Sequence, residues 1–175
     1  PIPPGRAGAV DIFRREAGSW ILRGSVASTD VEIGDGFGTS IAVDGDILVV
    51  GAPKKDDGRG AAYVFERSGS GWTEVARLVS SSATDGDAFG ASVAISGETA
   101  TVGAPGRNSG AGAVVSFRRN GGAWTETGTL YAPDHPAAGR FGASLDMEAD
   151  ILAVGASGEM PSMIPGVPAS PKPGL

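Results

Sequence analysis

Cysteine is absent from this 175-residue chain. That excludes disulfides, thiolate metal sites and a cysteine nucleophile, and it leaves the redox compartment undecided. Histidine occurs once, as His135 in a proline-flanked loop, and lysine three times. No serine stands in a Gly-x-Ser-x-Gly elbow, and there is no glycine-rich phosphate loop. Asp56 and Asp57 are adjacent carboxylates in a loop, where no burial separates their proton affinities. With these constellations missing, the expectation is a noncatalytic protein with no cofactor and no metal. Long apolar runs are missing too: none reaches the roughly 18–20 residues of a membrane-spanning helix. Positive charge is scarce, with 14 Lys and Arg against 20 Asp and Glu and a net charge of −6. Nonspecific nucleic-acid binding needs clustered Lys and Arg to release counterions, so no nucleic-acid partner is expected. The opening Pro1-Ile2-Pro3-Pro4 has neither an initiator methionine nor a signal peptide, and reads as a mature or excised piece.

Glycine is abundant instead, at 29 residues, and it punctuates short apolar runs in the manner of an all-β fold. The chain also repeats itself at an interval of 52 residues. Phe37, Phe89 and Phe141 each open a Phe-Gly-x-Ser block. Gly51, Gly103 and Gly155 each close an apolar run as Gly-Ala-Pro, Gly-Ala-Pro and Gly-Ala-Ser. Trp20, Trp72 and Trp124 keep the interval, as do Phe13, Phe65 and Phe117. Self-similarity of this length signals a repeat architecture.

One copy resolves into four strands. Phe37 to Val43 is a first strand and Asp44-Gly45 a tight-turn signal. Ile47 to Val50, apolar on both faces, is a strand between layers. Pro53 to Gly60 is a loop, Ala61 to Phe65 a third strand, and Trp72 to Leu78 a fourth strand whose frequent polar residues suit an edge. Four antiparallel strands in about 50 residues make a β-propeller blade. The expected organisation is a Pro-rich lead at 1–7, then a half blade at 8–33 made of strands three and four. Whole blades follow at 34–85 and 86–137. A half blade of strands one and two occupies 138–158, and a Pro-rich irregular tail occupies 159–175, where Pro161, Pro165, Pro168, Pro171 and Pro173 lack ladder donors.

Phe-Gly-x-Ser, Gly-Ala-Pro and Gly-Ala-x-Tyr-Val-Phe together resemble the FG-GAP repeat, over roughly residues 8 to 158. That repeat builds the blades of the integrin α-subunit propeller and of many bacterial surface proteins. The Trp that opens the fourth strand is similar to the bacterial-type form. The resemblance implies an extracellular or cell-surface location and a noncatalytic propeller used in adhesion or ligand binding. Integrin-type blades hold calcium between strands one and two. The corresponding turns here, Asp44-Gly45-Asp46, Ser96-Gly97-Glu98 and Glu148-Ala149-Asp150, are too short for the six to eight oxygens calcium takes, so that site is not carried over.

The recurring residues read first as scaffold. Phe37, Phe89 and Phe141 fill space between blades, and Gly38, Gly90 and Gly142 let backbones approach; Gly51, Gly103 and Gly155 read the same way. Trp20, Trp72 and Trp124 are expected to be buried against neighbouring blades, with sugar stacking as the alternative. Asp35 and Asp87 precede their Phe by two residues and suit Asx-type turns; calcium ligation with Asp85 beside Asp87 is the alternative. Arg15, Arg67 and Arg119 recur at the end of strand three, as solvated turns with local ion pairs or as an anion site. The opposite face carries the longer, less similar loops, with Lys54, Lys55, Asp56, Asp57 and Arg59 in one and Arg107 and Asn108 in the next. Asp134 and His135 lie in a connection from strand four to strand one. Loops on a rigid scaffold carry binding, so these are the candidate ligand residues. The reading is a propeller segment that binds protein or glycan ligands. The alternatives are a lectin-like module and a structural fragment of a larger secreted enzyme. Half a blade, two blades and half a blade fall short of the four or more that close a propeller. A homodimer that completes a six-bladed ring, or further blades of a longer parent chain, would complete it.

Overall fold

The computed structural model describes residues 7–133 and 138–158. Twelve strands form four antiparallel sheets among them. The hairpin β1 (Val10–Glu16) and β2 (Ser19–Val26) comes first. A four-stranded sheet follows in the order β3 (Ser40–Asp44), β4 (Ile47–Ala52), β5 (Ala61–Ser68), β6 (Gly71–Leu78). The second is β7 (Ser92–Ser96), β8 (Thr99–Ala104), β9 (Ala113–Asn120), β10 (Ala123–Leu130). The hairpin β11 (Phe141–Glu148) and β12 (Ile151–Ala156) ends the series. The protein is thus all-β, built of propeller blades: half a blade, two whole ones and half a blade. The residues of the expected tail, 159–175, lie outside the described residues.

The core lies between sheets. All six residues of β4 are buried, as its two-sided apolar sequence requires. One cluster joins the first half blade to the first whole blade, with Val10 and Val26 against Leu48, Val50 and Phe65. The other joins the two whole blades, with Ile47, Val49 and Val64 against Phe89, Val93 and Val102. The fourth strands β6 and β10 sit at sheet edges with largely exposed residues. Each strand-three to strand-four pair carries an irregularity at the same place, after Ile12, after Val64 and between Glu126 and Gly128. Such bulges add twist and blunt an edge.

The first strand begins later than its sequence suggests. Phe37-Gly38-Thr39 is a connector, and β3 starts at Ser40. The connector does other work. In the next copy Phe89 makes a parallel bridge to Gly60 of the preceding blade, and Phe141 makes one to Gly112. Phe37 is buried edge-on against Tyr63 and Phe65, and Phe89 against Phe117. A repeated latch then locks blade to blade. Ser40 Oγ donates to Gly90 O at 2.8 Å, and Ser92 Oγ to Gly142 O at 2.7 Å. Gly51 and Gly103 lie against these same carbonyl groups, where a Cβ would come within 2.9 Å of Gly90 C and 3.0 Å of Gly142 C. Glycine is therefore required here by close approach.

Candidate functional site

Loops from strand two to three and from strand four to one emerge on the same face. Two of the former are short turns, α1 (Lys55–Gly58) and α2 (Arg107–Gly110). Their central residues are left-handed: Asp56 at φ 51° and Asp57 at φ 58°, Asn108 at φ 53° and Ser109 at φ 57°. Single Asp and Asn residues tolerate that region better than branched ones, so these are tight turns more than α-helix.

Each turn is held from beneath by an ion pair. The Asp87 carboxylate accepts from Thr84 N–H at 3.1 Å and Thr84 Oγ at 2.7 Å, and meets Arg107 Nε at 2.9 Å. Arg107 Nη2 reaches Ser80 Oγ at 2.9 Å. Both side chains are almost wholly buried, 4% and 3% exposed. The first blade repeats the device with a lysine: Asp35 accepts from Glu32 N–H at 2.7 Å, and Lys55 Nζ lies 3.4 Å away. Burial of Lys55 disfavours its charge, but the hydrogen bond and charge of Asp35, with Asp30 and Asp56, outweigh it and raise the ammonium pKa above its ordinary value. Backbone bonds complete the frame: Lys54 N–H donates to Asp35 O and Gly106 N–H to Asp87 O, each at 3.0 Å. Onward, Ala88 N–H donates to Gly58 O and Arg140 N–H to Gly110 O, each at 2.8 Å.

The first blade adds a network of its own. Tyr63 Oη donates to Asp30 at 2.8 Å, Arg77 Nε lies 3.3 Å from Asp30, and Arg77 also pairs with Asp56. Burial and then Asp30 push the Tyr63 phenol up. The second blade has Val115, Ser82 and Thr129 at the corresponding positions and builds no such network.

The candidate ligand residues therefore divide. Lys55 and Arg107 are buried clamps beneath the turns. Asp56 is exposed but neutralised by Arg77 and Lys55, and Arg59 pairs with Asp85 at 2.6 Å. Lys54, Asp57 and Asn108 are exposed at the tips, and Lys54 also borders a hollow of about 280 Å³ with Ile33 and Phe37. Asp134 and His135 lie outside the described residues. Asp85 and Asp87 face different arginines and do not converge on one point. Among the described residues no group of three His, Cys, Asp or Glu side chains is placed to hold a metal ion. The clamp was readable in principle: acids at 35 and 87 and cations at 55 and 107 recur at the repeat interval.

On the opposite face, Arg67 pairs with Asp46, and Arg119 lies 2.7 Å from Glu66 and 3.6 Å from Glu98. Trp72 and Trp124 pack half-buried against the two core clusters, while Trp20 is 68% exposed. No helix among the described residues is long and apolar enough to cross a membrane.

Comparison with known proteins agrees with this geometry. A family model described as the FG-GAP repeat matches residues 20–65, 72–116 and 124–163. Each match starts at or beside a Trp on strand four and runs through the first strands of the next blade, so the family's unit straddles the blade seam. No curated protein matches the chain.

Proposed function

As this chain belongs to the FG-GAP repeat family, we propose that it is a noncatalytic propeller segment that binds a protein or glycan at a cell surface through the face bearing α1 and α2. Repeats of this family are found in β-propeller, ligand-binding domains. The observation that carries the reading is the contrast within that face. Two turns have the same frame, clamped by Asp35–Lys55 and Asp87–Arg107, yet their tips differ: Lys54, Asp56 and Asp57 in one, Gly106, Asn108 and Ser109 in the other. A constant frame with variable tips is how a scaffold presents recognition loops. Left-handed residues at both tips hold polar side chains outward at fixed positions, and such backbone is characteristic of ligand clamps.

The lectin-like alternative rests on tryptophans, and of the three only Trp20 has an open indole face. Screening the chain on a glycan array and on an array of extracellular proteins separates the readings. Binding kept by Trp20→Ala and lost in an Asp57→Gly/Asn108→Gly variant, which keeps the left-handed tips, supports the loop face. The reverse pattern supports the lectin.

A further inference from the structure

The two terminal hairpins are halves of one blade: β1–β2 supplies strands three and four, and β11–β12 supplies strands one and two. Among the described residues their apolar side chains lack the cover that inner blades provide. Phe13 is 51% exposed where Phe65 is 2% and Phe117 3%, and Ile151 is 70% exposed where Ile47 is 9%.

Four contacts that recur between strands or blades are left half-made at these ends, and each missing half sits at the other end of the chain. The first is the β-ladder. β4 pairs with β5 through Ile47↔Glu66, Leu48↔Phe65 and Gly51↔Ala62. β12, Ile-Leu-Ala-Val-Gly-Ala, differs from β4 at a single residue. The same register sets Ile151 opposite Arg14, Leu152 opposite Phe13 and Gly155 opposite Val10. The second is an ion pair between the end of strand three and the strand one–two turn, Arg67–Asp46 and Arg119–Glu98. Arg15 and Asp150 stand at those positions and make no ion pair among the described residues. The third is the serine latch: among the described residues Ser144 Oγ has no carbonyl acceptor and Gly38 O has no serine, and Gly155 keeps the space open. The fourth is a turn contact, Gly97 N–H to Asp44 at 2.7 Å and Ala149 N–H to Ser96 at 3.1 Å. Among the described residues Glu148 and Gly45 N–H are its unmatched halves.

We propose that β12 of one copy pairs antiparallel with β1 of a second copy, so that two chains close head to tail into a six-bladed ring with two identical seams. A heterologous contact closes in this way when its rotation does. Further blades of a longer parent chain would cover the same two strand edges, and they are the rival that a strictly monomeric chain in the test below would favour. Two positions fit the seam less well. Asp11 stands where Tyr63 and Val115 are fully buried, and Arg118 of the second copy comes beside Arg15, where Glu66 lies beside Arg119 in the inner blades. An inward-pointing charge of this kind restrains a bare strand edge from unspecific pairing.

The test is native mass spectrometry and light scattering of the full chain, expected at twice the 17.4 kDa of one copy. Asp11→Val should tighten the pair. Asp150→Arg should weaken it about tenfold, and mixing that variant with Arg15→Glu chains should restore it, because both seams then carry opposite charges. The cysteine-free background allows a register check: Arg14→Cys chains mixed with Ile151→Cys chains should form a disulfide-linked pair, and Arg14→Cys mixed with Leu152→Cys should not. A monomer at every concentration, open filaments, failure of the charge swap to rescue, or cross-linking in the slipped register would each overturn the proposal. Ligand binding through α1 and α2 is read separately and stands or falls on its own assay.

Discussion

Replacing Gly51 with alanine probes the force that holds blades together. An added Cβ would overlap Gly90 O and lie 2.9 Å from Gly90 C. Carbon atoms prefer separations of about 3.5–4.0 Å, so the blades must part by roughly 0.6 Å or more. A gap of about 0.5–1 Å already forfeits a quarter to a half of each dispersion contact across it, and this seam holds the Val49, Val64, Phe89 and Val102 cluster. The Gly90 carbonyl is backbone and cannot rotate away, and the Ser40 hydroxyl, 2.3 Å from the new Cβ, would also be displaced, so the cost belongs at the upper end of overpacking, about 3 kcal/mol. Alanine's lower chain entropy returns about 0.5–1 kcal/mol. The net loss of about 2 kcal/mol corresponds to a melting temperature lower by about 4–8 °C for a chain of this size. Gly155→Ala is the control. In a single chain its new Cβ meets the Ser144 side chain, which can rotate, and the nearest backbone atom, Ser144 N, is 3.7 Å away. At low chain concentration it should melt like the parent. Thermal denaturation followed by circular dichroism measures both. A Gly51→Ala protein that melts within about 1 °C of the parent would refute the close-approach argument.

Other consequences follow from the same contacts. Arg107→Ala should cost about 3–5 kcal/mol in urea denaturation, because it strands the buried Asp87 carboxylate, and Lys55→Ala should cost less, its partner being a longer 3.4 Å contact. Ser40→Ala should lose about 1 kcal/mol for the bond to Gly90 O, whereas Ser144→Ala should leave a single chain unchanged. Stability should fall as the pH rises above the ordinary tyrosine value of 10.0. The unfolded phenol ionises there while the folded Tyr63 keeps its proton, so the folded state binds more protons and loses its advantage; Tyr63→Phe should flatten that part of the profile. Trp20 emission should shift to shorter wavelength as chain concentration rises, if the exposed indole is covered in a paired ring; a concentration-independent spectrum would speak against the seam.

Blade order, strand pairing and the seam glycines were legible in the sequence because backbone constraints recur wherever the fold recurs. Phe89-Gly90 was legible as an anchor but not as a connector, since a Phe followed by β-formers carries no mark that its pairing partner is Gly60 of the preceding blade. The functional face was harder. Lys55 and Arg107 look like exposed loop charges, and their burial depends on carboxylates 20 residues earlier, Asp35 and Asp87. Charge type alone does not reveal it. Neither did the tryptophans distinguish themselves: Trp20 differs from Trp72 and Trp124 in having no blade in front of it among the described residues.

The central claim is that recurring residues hold the scaffold while the tips of α1 and α2 read the ligand. It is tested most directly by a Lys54→Ala/Asp57→Gly/Asn108→Gly variant, in which glycine keeps the left-handed backbone at 57 and 108, with melting temperature and array binding measured on the same preparation. The account predicts a melting temperature close to the parent's, since none of these three side chains makes a hydrogen bond or ion pair among the described residues and glycine accepts the left-handed backbone, together with loss of the binding shown by the parent. A variant that melts like the parent and still binds every ligand of the parent would contradict it.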